Sequence, residues 1–199
     1  NRKGIRNDRP ITPAYGLNRE GSGDMYPKGG NMLHTIRQVI NDDAKWREIL
    51  RGLAQNFRHQ IVTARQVEDY INQKSGINFD KVFQEYLTTT MVPTLEYKIE
   101  GATLSYHWVN VVPGFDMPVR VKLGTAASVN GERQRANGKE KGEGGKKKGQ
   151  PNPASDSEWS VIAPTEDWKT VRLSLQNPAA FQVDPNFYVE VSQVGVGAQ

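Results

Sequence analysis

The chain has 199 residues, 36% of them apolar, with 26 basic against 22 acidic side chains and no cysteine. That length can bury one large or two modest cores, and the absence of cysteine excludes disulfides and thiolate metal sites. No apolar run approaches the roughly 20 residues that span a bilayer, and the polar opening Asn1-Arg2-Lys3-Gly4-Ile5-Arg6 does not lead into the apolar stretch of a signal peptide. The compartment is left open between periplasmic, surface-bound and cytoplasmic.

Asn1 to Gly23 is polar and broken by Pro10, Pro13 and several glycines, so it is assigned no regular structure. A first helix is expected over Pro27–Ile40: Asp24 can cap it, and Pro27 suits a first turn in which its missing N–H would have had no partner. Asn41-Asp42-Asp43 punctuates. Trp46, Ile49, Leu50, Leu53 and Phe57 then recur at the three-and-four spacing of an amphipathic second helix. Thr63 is a plausible N-cap for a third helix, with Val67, Tyr70 and Ile71 on its buried face and Gly76 just past its end. Phe79 to Leu87 fits a fourth.

At Val92-Pro93 the period changes from helical to alternating, which places a domain boundary between residues 1–92 and 93–199. Leu95, Tyr97 and Ile99 alternate with polar residues, as do Leu104, Tyr106 and Trp108. A tight turn at Glu100-Gly101 joins the two runs into a hairpin. Further strands are expected over Met117–Leu123, Trp159–Ile162, Trp168–Leu175 and Phe187–Val191. Six or so short strands predict an α+β chain: a helical segment followed by a β-sandwich of immunoglobulin-like type.

Between the third and fourth strands, about Gly124 to Ser157, lies a segment with hardly any large apolar residue. Its stretch from Glu132 to Lys148 carries an excess equal to the whole net charge of +4, because Arg133, Arg135, Lys139, Lys141, Lys146, Lys147 and Lys148 there face only Glu132, Glu140 and Glu143. It is glycine-rich and has no aromatic residue on which a base could stack. It is therefore read as a solvated, disordered basic insertion, and nucleic acid is not an expected partner.

The tetrapeptide Tyr26-Pro27-Lys28-Gly29, opening the helix with Met32, Leu33, Ile36, Val39 and Ile40, resembles the tyrosine segment of the aminopeptidase N family of zinc metallopeptidases. The resemblance extends over most of the chain, through the Asp42 to Leu53 helix, Thr63 with Glu68-Asp69-Tyr70 and Ser75-Gly76, and Phe83-x-x-Tyr86-Leu87 before Pro93-Thr94-Leu95. It departs at Pro27, where the family usually carries an acidic or aromatic residue, and in the basic insertion. The long helical fourth domain of many relatives is not expected either.

The resemblance implies that residues 1–92 close a thermolysin-like catalytic domain and that the parent protein removes amino-terminal residues from peptides with a zinc-activated water. No His-Glu-x-x-His occurs, and His34, His59 and His107 are scattered, so the zinc ligands are expected upstream and no metal on this chain. A fragment without those ligands would be inactive alone. Its expected partners are a peptide substrate and the upstream catalytic domain of the same polypeptide.

The resemblance assigns Tyr26 as the catalytic residue, a donor to the tetrahedral oxyanion. A phenol suits that role because it keeps its O–H at neutral pH. Lys28 is read as a structural tie or solvated charge, Gly29 and Gly30 as sites of close helix packing, Asp24 as a cap with orientation of the tyrosine loop as the alternative, and the three histidines as structural. Glu68 and Asp69 are assigned no acid or base work. The competing reading is a non-catalytic module that binds a protein or polyanion through the β-sandwich and basic loop.

Overall fold

The computed structural model describes residues 2–13, 16, 21–123, 159–173 and 181–195. The basic insertion lies outside them. The chain is α+β: among the described residues four helices, α1 (Pro27–Ile40), α2 (Asp43–Asn56), α3 (Ala64–Ser75) and α4 (Asp80–Thr88), precede seven strands. α1 starts on Pro27 and stops where Asn41 turns left-handed at φ 50°. α2 begins at Asp42, whose carboxylate accepts the Lys45 N–H at 2.9 Å. α3 carries a full capping box, Thr63 with Gln66, and ends at left-handed Gly76. The segment before α1, expected to lack regular structure, contains short 3-10 turns at Arg2–Gly4 and Gly23–Met25.

The strands are β1 (Thr94–Glu100), β2 (Thr103–Val109), β3 (Val119–Lys122), β4 (Ser160–Ile162), β5 (Lys169–Arg172), β6 (Gln182–Val183) and β7 (Glu190–Gln193). They form a four-stranded sheet in the order β5-β2-β1-β7 and a three-stranded sheet in the order β4-β3-β6. The expected hairpin is β1–β2, with Glu100 opposite Thr103 and Gly101 left-handed at φ 58°. β3 starts two residues later than expected. Pro118 has no N–H for the ladder, and the Met117 carbonyl instead accepts the Trp108 indole N–H at 3.1 Å.

The last strand departs from expectation in place and direction. It covers Glu190–Gln193 and runs parallel to β1. Phe187 and Tyr188 belong to no strand because their polar groups go elsewhere: the Tyr188 N–H donates to Thr35 Oγ1 of α1 at 2.9 Å, and its carbonyl accepts the Tyr86 hydroxyl of α4. Arg120 of β3 extends this tie between helices and sheets. It pairs with buried Asp184 at 2.7 Å and reaches Gln38 and Asn41 near the end of α1. A single apolar core accordingly runs from Met32, Ile36 and Tyr86 to Leu95, Leu104, Trp108, Val119 and Ile162.

Candidate functional site

Tyr26 sits between the 3-10 turn and α1. Its carbonyl accepts the Gly30 N–H at 3.0 Å, which makes it the last residue before the helix proper. Its side chain is 80% exposed. The phenol therefore projects from a helix mouth with no packing of its own to hold it.

The backbone on either side is fixed by buried charge. Asp24, two residues before Tyr26, is buried and does not cap α1. Its carboxylate accepts the N–H groups of Asn7 at 2.7 Å and Arg6 at 3.0 Å, drawing the amino-terminal segment onto the turn. The cap of the 3-10 turn is Ser22, whose Oγ accepts the Asp24 N–H at 3.2 Å. Lys28, two residues after Tyr26, is only 1% exposed. Its ammonium donates to the Thr89 carbonyl at 3.0 Å and the Met91 carbonyl at 3.4 Å, in the segment that leads from α4 into β1. It is the structural tie that was one of its two expected roles.

Glu85 of α4 completes the buried set. It is fully buried, with Oε2 accepting the Val112 N–H at 2.8 Å and Oε1 without a partner among the described residues. Burial pushes its carboxyl above the usual glutamate range, opposed by the Val112 hydrogen bond and by the charge of Lys28. Burial likewise pushes the Lys28 ammonium below its usual range, opposed by Asp24 and Glu85. Both groups are drawn toward their neutral forms.

Gly29 and Gly30 do not mediate the close packing expected of them, since a Cβ at either would meet nothing within 4 Å. That role falls to Gly52 on α2, where a Cβ would lie 2.0 Å from the Tyr70 hydroxyl of α3. The three histidines have different surroundings. His34 lies near Asn186, His59 accepts from Arg58 Nε, and His107 sits between Glu96 Oε1 at 2.9 Å and the Glu166 carbonyl at 3.0 Å, stacked on Trp168. Among the described residues no three His, Asp or Glu side chains come together as metal ligands, so this part of the chain does not fit a zinc ion. Asp69 is paired with Arg65 at 2.6 Å on the surface of α3, remote in sequence from the tyrosine turn.

Sequence reasoning missed Glu85 altogether, and it left open whether Lys28 was buried. A signal existed for each. Lys28 is four and eight residues from Met32 and Ile36, on the buried stripe of α1, and Glu85 is three residues from Val82 on that of α4.

No protein-family model matches the sequence, and no curated protein matches it. Among solved structures, the fold resembles that of aminopeptidase A from Legionella pneumophila, crystallised in complex with aspartic acid, with a TM-score of 0.54 and 11% identity. The likeness covers 89% of this chain and 18% of that one. The chain thus shares the fold of about a fifth of that protein's length.

Proposed function

We propose that this chain is the carboxyl-terminal portion of a zinc-dependent aminopeptidase, comprising the helical end of a thermolysin-like catalytic domain and an immunoglobulin-like β-sandwich. The observation that carries this reading is the placement of Tyr26: an exposed phenol on a turn whose flanks are anchored by buried Asp24 and Lys28, in a fold shared with part of an aminopeptidase. Water adding to a scissile carbonyl produces a tetrahedral oxyanion, and a donor held in advance where that charge develops lowers the barrier. Tyr26 supplies its O–H as that donor. The zinc ligands belong to the rest of the polypeptide, which also forms most of the pocket for the amino-terminal side chain.

Hydrolysis of a fluorogenic aminoacyl substrate by the complete polypeptide, supplied with zinc, tests this. Tyr26→Phe should lower kcat by about 100- to 1,000-fold, the usual loss for one oxyanion donor, with the fold intact. An active wild type matched by the variant would make Tyr26 structural. An inert wild type would favour the non-catalytic binding module instead.

A further inference from the structure

We propose that Lys28 is a positioning residue for Tyr26, clamping the first turn of α1 to the α4–β1 junction so that the phenol is aimed before substrate arrives. The inference rests on the reading of Tyr26 as the oxyanion donor and deepens it.

Tyr26 is 80% exposed on this chain, so among the described residues it is the backbone that sets the direction of its side chain. Two residues on, Lys28 reaches inward and spends its ammonium on the Thr89 and Met91 carbonyls. Glu85, fully buried beside it, places one oxygen on the Val112 N–H and leaves the other without a partner among the described residues. An amine and a carboxyl taken out of water at this position, even when drawn toward their neutral forms, are expensive relative to apolar residues of the same size. Such a pair secures a geometry more than it adds stability. The arrangement joins three places: the mouth of α1, the exit of α4 and the loop after β2. Displacement of a catalytic group by about 1 Å can cost roughly 100-fold in rate, so a clamp two residues from the donor has ample leverage.

The test is a double-mutant cycle in the complete zinc-supplied polypeptide, measuring kcat and KM for an aminoacyl substrate with Lys28→Met, Tyr26→Phe and both. Methionine keeps the length and apolar stem while removing the donors. Lys28→Met is expected to lower kcat about tenfold or more with KM little changed, and to have less than about a twofold effect in the Tyr26→Phe background. Lys28→Met with kcat within about twofold of a Tyr26-dependent wild type would overturn the inference while leaving the reading of Tyr26 standing. So would an equal loss in both backgrounds. A wild type indifferent to Tyr26→Phe would remove the reading and this inference with it. Should Lys28→Met unfold by circular dichroism, Lys28→Met with Glu85→Gln, which removes both buried charges, carries the same comparison.

Discussion

Gly52→Ala should destabilise this protein even though alanine is the better helix former, and the reason is one hydroxyl. Gly52 lies inside α2, where exchanging glycine for alanine ordinarily gains about 1 kcal/mol. Here the added Cβ falls 2.0 Å from Tyr70 Oη and 3.0 Å from Tyr70 Cζ, so the ring of α3 must move. The ring makes an edge-on contact with Phe57 at 5.7 Å, worth about 1 kcal/mol. Lys74 lies over its face, also at 5.7 Å, for about 0.5–1 kcal/mol. Its hydroxyl accepts from Asn56 Nδ2 at 3.3 Å, for about 1 kcal/mol. Losing most of these outweighs the propensity gain and leaves a net loss of about 1–2 kcal/mol. That corresponds to a fall in Tm of about 3–6 °C for a chain of this size. Urea and thermal denaturation read it directly. In the Tyr70→Phe background the 2.0 Å contact disappears, and Gly52→Ala should become neutral or stabilising by up to about 1 kcal/mol. A stabilising effect in wild type, or an equal loss in both backgrounds, would refute the steric explanation.

Tyr86→Phe removes the buried hydroxyl that donates to the Tyr188 carbonyl and strands that carbonyl, so a loss of about 1–3 kcal/mol is expected by urea denaturation; an unchanged midpoint would contradict it. Thr63→Ala breaks the capping box of α3 and should cost about 1 kcal/mol, with Thr63→Ser nearly neutral in the same melts. Burial holds the Glu85 carboxyl above its usual range, and an acid raised in the fold weakens the fold as pH climbs from the ordinary glutamate range through the raised value. Glu85→Gln, which abolishes that titration, should therefore gain in Tm relative to wild type as pH rises from about 4 to about 8; a difference that stays flat, or falls, would count against it.

How much of the fold could be read from the sequence depended on where each segment's hydrogen bonds go. α3 was legible because its start and stop are local: Thr63, Gln66 and Gly76 satisfy its ends within a few residues. Phe187 to Val189 is a run of residues favoured in strands, yet the Tyr188 backbone bonds to Thr35 and Tyr86, more than 100 residues away, and no periodicity carries that. β6 has two residues, too few for a pattern. At the candidate site, Tyr26 was singled out by the family resemblance and not by periodicity, and Lys28 was left between a structural tie and a solvated charge because spacing alone does not show which stripe of α1 is buried. Asp24 was misjudged as a cap because its partners, the Arg6 and Asn7 amides, come from a segment without a sequence pattern. Glu85 escaped because a carboxylate on an apolar stripe reads as an interruption until the lysine opposite it is known.

The most direct test of Tyr26 as an oxyanion donor is binding of a tetrahedral phosphinic peptide mimic, compared with binding of the free product amino acid, to the complete zinc-supplied polypeptide before and after Tyr26→Phe. A donor aimed at the transition state should be worth about 100- to 1,000-fold in affinity for the mimic and little for the product. Equal loss for both ligands, or no loss for either, would contradict it.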